Sequence, residues 1–131
     1  MENLKKNREF IARYFNAMSG VTKTEELCNE YMTDEHLKEH IIFFDGAFPK
    51  YDILIEEMIS EGNKVVIRGR LKGEHKNEFN GIPATNKSVD FPFVIRYTIE
   101  NGKITDHWLI ADQMILMEQL GVMKAEGEQV V

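Results

Sequence analysis

The run His107-Trp108-Leu109-Ile110-Ala111-Asp112 ties an imidazole and an indole to a carboxylate through a short apolar stretch. Asp112 ends a predicted strand and precedes a predicted helix. A carboxylate facing a greasy cavity from that point is destabilised as an anion. Its pKa rises, which suits it to take a proton from carbon. The same position would also serve as the N-cap of a helix over 113–120, a purely structural use of the side chain. Strand geometry adds a condition for His107. Residues 107 and 112 are five apart, so a regular pleat puts them on opposite faces. Only a bulge, or the strand-to-helix turn at 111–112, brings both into one pocket.

Other side chains could join such a site. His40 falls on the apolar stripe of a predicted helix, where it would line the mouth of a pocket, and His36 lies on the flank, where it would be solvated. Their HxxxH spacing lets two imidazoles share a metal. Beyond the adjacent Glu35 and Glu39 nothing points to a third ligand, and no metal site is expected. Arg68 sits on an apolar strand and must pair with a carboxylate or reach solvent. In a cavity it would stabilise an oxyanion; elsewhere it is an ordinary ion pair. Tyr14 offers a hydroxyl to whatever its helix stripe faces, or is a core tyrosine with that hydroxyl satisfied. His75, at a strand end beside a loop, is expected to be exposed. Cys28 reads as a small buried hydrophobe.

The sequence excludes much else. It contains no phosphate-binding Walker loop, dinucleotide fingerprint or nucleophile elbow. One cysteine permits neither an internal disulfide nor a zinc site built on two thiolates. A formal net charge of −6 argues against nucleic acid as a partner. No stretch approaches the roughly 18 apolar residues of a membrane span. The N-terminus is charged and has no uninterrupted apolar run after it, so a cytoplasmic location is expected. At 131 residues, 43% hydrophobic and 29% charged, the chain is expected to form one domain over 1–131, with a tail that frays from Met123.

These side chains need a scaffold. Leu4, Ile11, Phe15 and Met18 mark a helix over 3–18 that stops at Ser19-Gly20. Thr22 and Glu25 have capping-box spacing for a helix over 23–32. Leu37, Ile41, Phe44 and Phe48 predict a third helix over 34–47. Residues 51–60 fit both periods. Three isoleucines, Pro49 before and Glu61-Gly62-Asn63 after favour a strand and hairpin. A strand over 64–75 puts Val65, Ile67 and Leu71 on one pleat and Val66, Arg68 and Arg70 on the other. Residues 77–87 form a loop long enough to be a pocket rim. The alternation from Val89 to Ile99 is the clearest strand, with Pro92 marking a bulge or an edge. Asn101-Gly102 makes a hairpin turn into a last strand over 103–112. Helices first and hairpin-linked strands later predict an α+β chain with an antiparallel sheet. Both pleats of 88–99 carry apolar residues, so one face is expected to meet the helices and the other a second subunit, as a homodimer.

Three segments together resemble the SnoaL-like polyketide cyclases, also called ester cyclases. Phe79-Asn80-Gly81-Ile82-Pro83-Ala84-Thr85-Asn86-Lys87 is similar to their EF-x-GIPPTGK loop, with Ala84 and Asn86 as departures. NGKITDHWLIADQMILMEQLG, from Asn101 to Gly121, is similar to their closing GKI-x-EHW…D…LL-x-QLG. Gly62 to Arg68 resembles GD-x-V-x-x-R. The resemblance spans roughly residues 8 to 122. It implies the cone-shaped fold shared with nuclear transport factor 2, in which a curved antiparallel sheet wraps around N-terminal helices and leaves a deep apolar pocket. It also implies a cofactor-free reaction in which an aspartate takes an activated α-proton and the enolate attacks a carbonyl. Carried over by position, that aspartate is Asp112, and the HW pair is His107 and Trp108. The functional expectation is proton abstraction from a small hydrophobic carbonyl compound, by an aldol cyclase, isomerase or dehydratase. Asp112 and His107 would be catalytic and Tyr14, His40, Arg68 and Trp108 would bind substrate. The alternative is a protein that only holds a lipophilic small molecule.

Overall fold

The computed structural model describes residues 2–122; the frayed tail expected from Met123 lies outside the described residues. The chain begins with α1 (Glu2–Met18), α2 (Glu25–Asn29) and α3 (Glu35–Ala47). The strands β1 (Asp52–Glu61), β2 (Lys64–Glu74), β3 (Ser88–Glu100) and β4 (Lys103–Ala111) follow, and α4 (Gln113–Leu120) closes the order. The sheet is an antiparallel meander in the order β1-β2-β3-β4. Its inward face carries Val65, Ile67, Phe93, Ile95 and Tyr97, packed against Ile11, Tyr14, Phe15 and Met18 of α1. A second cluster joins Phe44 and Phe48 at the end of α3 to Phe79, Phe91, Leu116 and Leu120.

Two bulges set which residues face the helices. In β1 the register steps from Ile55 to Glu57 opposite Gly69 and Arg68, leaving Glu56 as the extra residue. Glu56 and Glu57 therefore both point outward, while Ile53 and Ile55 before them and Met58 after them pack on the core. In β4 the pairs Thr98↔Asp106 and Ile99↔Ile104 leave Thr105 as the extra residue. The flip keeps Ile104 inward and then puts His107, Leu109 and Ala111 on the inner pleat. A bulge also bends and twists its strand, which curves the sheet around the helices.

Gly69 has a specific task in this curvature. A Cβ there would lie 2.5 Å from the Leu54 carbonyl oxygen and 2.9 Å from the Phe93 ring. Only glycine lets the inward Phe93, its register partner on β3, lean over β2 beside the β1 bulge.

Pro92 occupies an edge, one of the two settings expected for it. β4 pairs with β3 only as far as Phe93↔Ala111, and the Pro92 carbonyl then accepts from the Asp112 backbone N–H. The missing donor falls where the neighbouring strand ends. Two expectations are corrected. The second helix begins at Glu25, because the Thr24 hydroxyl, not Thr22, accepts from the Leu27 N–H. It is also shorter than expected: Tyr31 and Thr33 bond instead to the Ile104 backbone. His75 is fully buried, its ring stacked on Phe48 at 5.1 Å and its Nδ1 2.9 Å from the Thr85 hydroxyl.

Candidate functional site

A cavity of about 440 Å³ opens between the inner face of the sheet and helices α1, α3 and α4. That is within the usual size range for a small-molecule site. Its walls are apolar, from Leu71, Phe91, Phe93, Ile95 and Leu109 on the sheet and Ile41, Phe44 and Leu116 on the helices. The strand period explains the wall: odd-numbered residues from Val89 to Ile99 all face inward and are buried. Among the described residues no Asp, Glu, Lys or Arg lines the cavity. Its polar groups are the hydroxyls of Tyr14, Tyr51 and Tyr97, the His40 imidazole and the amides of Asn80 and Gln113.

The three phenols are buried deeply enough to stay protonated. Burial is the main cause, and it holds Tyr14, Tyr51 and Tyr97 all above the ordinary phenol value. Tyr14 and Tyr97 meet edge to face at 5.7 Å, and Tyr31 flanks Tyr14 at 5.5 Å. Behind Tyr51 lies a buried cation. Lys23 Nζ sits 3.8 Å from the Tyr51 ring centroid and 3.8 Å from Asp45. Desolvation lowers Lys23 to about 8, although Asp45 and Asp52 pull the other way. His40 differs from the tyrosines in being reachable from outside at the cavity mouth. Although His40 is exposed, desolvation at the cavity mouth, then His107 and His36, lower its pKa, so its imidazole is neutral at pH 7 and free to accept a proton.

His107 lies just outside the cavity lining, on the inner pleat directly opposite Tyr97. Its Nδ1 is 2.7 Å from Asp34 Oδ2. Asp34 also caps α3 by accepting from the Leu37 N–H at 3.0 Å. A carboxylate accepts, so His107 donates from Nδ1, and this fixes the ring and its tautomer. His36 is exposed beside it, with ring centroids 5.9 Å apart. Among the described residues no group of three His, Cys, Asp or Glu is placed to hold a metal.

The other expected site residues are not brought to the cavity. Asp112 Oδ1 accepts from the Ile115 N–H at 3.0 Å, the capping use of this side chain. Ala111 and Gln113 on either side of it line the cavity, but Asp112 does not. The β4 bulge lies before His107 and so leaves the parity between 107 and 112 unchanged. Arg68 is on the outer pleat, where it bonds Glu56 at 2.8 Å and Glu57 at 3.2 Å. Trp108, also on the outer pleat, is 51% exposed. Alternation alone accounts for both, since their strand neighbours Ile67 and Leu109 face inward. Of the six expected residues, Tyr14 and His40 line the cavity and His107 stands next to it.

Tyr51, Tyr97, Asn80 and Gln113 are the lining groups that sequence reasoning did not single out. Tyr97 was the most accessible to it, because it shares the inward pleat with Phe91, Phe93 and Ile95. A larger and more open groove lies between α1 and the turns at Gly62 and Gly102. It is lined by mixed charges such as Lys6, Glu9, Arg13 and Glu30.

Comparison with known proteins agrees with this architecture. No curated relative matches the chain. Several solved structures share its fold. TsrD from Streptomyces laurentii superposes with a TM-score of 0.75 at 18% identity, covering 88% of this chain and 95% of that one. IdmH from Streptomyces antibioticus gives 0.73 at 21%, with 88% and 99% covered. A SnoaL-like polyketide cyclase from Agrobacterium tumefaciens gives 0.72 at 16%, with 88% and 98% covered. A family model described as SnoaL-like polyketide cyclase matches residues 10–120. The chain therefore belongs to the SnoaL-like polyketide cyclase family, with the α+β fold of the nuclear transport factor 2-like superfamily.

Proposed function

We propose that the cavity binds a small, uncharged carbonyl compound and that the protein removes a proton from the carbon next to the carbonyl without a cofactor. One observation carries this reading: an apolar cavity that has, among the described residues, no formally charged lining residue holds protonated phenols and carries one neutral imidazole at its mouth. The two kinds of group suit the two halves of an enolisation. His40 takes the proton, and a phenol hydrogen-bonds the oxygen on which charge develops. Low local polarity strengthens that hydrogen bond relative to water. The enolate then attacks a second carbonyl in a cyclase, is reprotonated elsewhere in an isomerase, or expels a leaving group in a dehydratase.

Asp112 is the alternative base. To act it must leave the helix cap, at a cost of about 1 kcal/mol. His107, held by Asp34, is a positioning residue in this scheme. It braces the mouth of the cavity between α3 and β4.

The test is solvent deuterium uptake at the α-carbon of aromatic and aliphatic β-dicarbonyl compounds, followed by NMR, with thermal shift reporting binding. Uptake accelerated by wild type and lost in His40→Gln supports the reading. Uptake lost instead in Asp112→Asn moves the base to Asp112. Binding without accelerated uptake favours a carrier of lipophilic ligands, a second reading supported by the engagement of Asp112 in the cap.

The outer face of the sheet supports a homodimer as part of the proposal. Ile59, Trp108 and Ile110 are more than half exposed there. The arginines among them are already neutralised, Arg68 by Glu56 and Glu57 and Arg96 by Asp106. A second copy could cover this surface without burying an unpaired charge. A reducing, cytoplasmic setting is also part of the proposal, supported by the free and buried Cys28.

A further inference from the structure

We propose that Tyr51 donates the hydrogen bond that meets the ligand's carbonyl or enolate oxygen, and that the buried Lys23 ammonium, seated on the Tyr51 ring, strengthens that bond as a positioning residue. The proposal rests on the proton-abstraction reading above and assigns its acceptor side.

The cation is the first ground. Lys23 lies between α1 and α2, and its side chain is fully buried. Its Nζ sits 3.8 Å from the Tyr51 ring centroid and donates to the Tyr51 carbonyl oxygen. Among the described residues this is the one cation set on an aromatic face. Lys23 does not line the cavity, and Tyr51 is the lining residue that its ammonium touches. The charge is only partly matched. Asp45 stays 3.8 Å from Nζ, and its two oxygens accept backbone N–H groups instead, Oδ2 from Lys23 and Oδ1 from Lys50. A desolvated ammonium held in this way draws electron density from the ring it rests on. The phenol at the ring's other end becomes a stronger donor, and negative charge beside it is favoured.

Placement is the second ground. The Tyr51 ring meets Phe44 edge to face at 5.3 Å. Phe44 follows His40 by one turn of α3, and both line the cavity. His40 is exposed at the mouth and Phe44 is buried, so Tyr51 stands beside the next turn inward from the proposed base. The Tyr51 carbonyl also accepts from the Gly20 N–H at 3.1 Å, which fixes the backbone that carries the ring. A side chain fixed in this way loses little freedom when it binds an oxygen. Among the described residues no protein group bonds the Tyr51 hydroxyl, and the one buried side-chain polar atom without a partner is His75 Nε2. The Tyr51 hydroxyl is therefore open to the cavity it lines.

The step balances without another reagent. The α C–H bond breaks and its proton goes to the His40 imidazole. The electron pair moves into the carbonyl, and the resulting oxyanion accepts a hydrogen bond from the Tyr51 O–H, whose proton stays on Tyr51. Lys23 holds the Tyr51 ring and touches no substrate.

The experiment uses 4-nitrophenol, a flat aromatic whose ionised form absorbs visible light and carries its charge on an enolate-like oxygen. Absorbance reads the binding of its neutral and ionised forms separately. Tyr51→Phe keeps the ring and the cation on it and removes only the hydroxyl. It should weaken binding of the ionised form by about tenfold or more, the scale of one hydrogen bond to a charged acceptor, and the neutral form by less. Lys23→Met removes the charge and should move the ionised form in the same direction. In a Tyr51→Phe background Lys23→Met should add less than about twofold, because the cation acts through the hydroxyl. A purely structural role for Lys23 weakens both forms alike. Tyr51→Phe serves even if Lys23→Met folds poorly. Ionised nitrophenol bound as tightly by Tyr51→Phe as by wild type overturns the proposal, and so does a larger loss in Tyr14→Phe or Tyr97→Phe. An equal loss from Lys23→Met with and without the Tyr51 hydroxyl overturns the action of Lys23 through Tyr51. In each case deuterium uptake by wild type still upholds the proton-abstraction reading. Wild type that binds neither form also overturns the proposal, and absence of deuterium uptake is the separate result that overturns the reading beneath it.

Discussion

Replacing Asp112 separates the two uses its position allows. Its Oδ1 accepts from the Ile115 N–H at 3.0 Å, satisfying one of the first-turn donors of α4. Asparagine keeps an acceptor oxygen at that point and alanine has none. Asp112→Ala should therefore lose about 1 kcal/mol, and Asp112→Asn only a few tenths. For a chain of this size, 1 kcal/mol corresponds to a drop in Tm of roughly 3–5 °C. The damage does not stop at the surface, because α4 carries Leu116 into both the second core cluster and the cavity wall. Calorimetry on the three proteins reads the stability, and α-proton exchange of a β-dicarbonyl compound reads the chemistry. With His40 as base, Asp112→Asn is folded and exchanges protons at close to the wild-type rate. An Asp112→Ala protein as stable as wild type refutes the capping argument. A stable Asp112→Asn protein with exchange reduced by about a hundredfold or more, the range for loss of a general base, refutes the assignment of His40.

Three further outcomes follow from named contacts. Gly69→Ala puts a Cβ against the Leu54 carbonyl and the Phe93 ring; it should cost about 1–3 kcal/mol in urea unfolding, and an unchanged midpoint contradicts the close packing over β2. Lys23 has a folded pKa of about 8, below its ordinary value of 10.5, so the unfolded chain binds the extra proton between them. Stability should rise as pH increases from 8 toward 9, above which the buried Cys28 thiol, held above its ordinary value of 9.0, opposes the rise, and Lys23→Met should remove the rise. Above pH 10 the sign reverses, since Tyr14, Tyr51 and Tyr97 hold protons in the fold that the unfolded chain releases. A pH series of urea midpoints without a rise from 8 toward 9 contradicts the burial of Lys23. Ile110→Glu places a charge on the exposed outer face, at the edge strand β4, where Ile110 is 56% exposed. It should convert a dimer to a monomer in light scattering without loss of secondary structure, whereas a monomeric wild type removes the dimer proposal.

Much of the scaffold was readable because period and burial agree. The strict alternation from Val89 to Ile99 predicts a strand with one buried face, and that face became the cavity wall and the core beside it. The double reading of residues 51–60 has a physical cause. The bulge at Glu56 shifts the pleat, so the inward set becomes Ile53, Ile55 and Met58, which fits neither clean period. The placement of His75 was misread because its partners, Phe48 and Thr85, come from a helix end and a loop whose approach no local pattern announces. The pairing of Asp34 with His107 joins residues 73 apart in sequence. It became possible only through the β4 bulge, which turned His107 inward. Asp112 was legible as a cap from its position alone, and the family resemblance pointed to a second use that its hydrogen bond does not display. The tyrosines needed the third dimension, because Tyr14 and Tyr97 come from a helix and a strand and Tyr51 from the connection just before β1.

The most direct test is the rate of deuterium uptake at the α-carbon of a β-dicarbonyl compound that binds the protein, measured from pH 5 to 8 for wild type and His40→Gln. A neutral imidazole as base predicts uptake that grows with pH and levels off below the ordinary histidine value of 6.5, because desolvation at the cavity mouth and the neighbouring His107 and His36 lower His40. It also predicts loss of about a hundredfold or more in the variant. Uptake that persists unchanged in His40→Gln across that range contradicts the account.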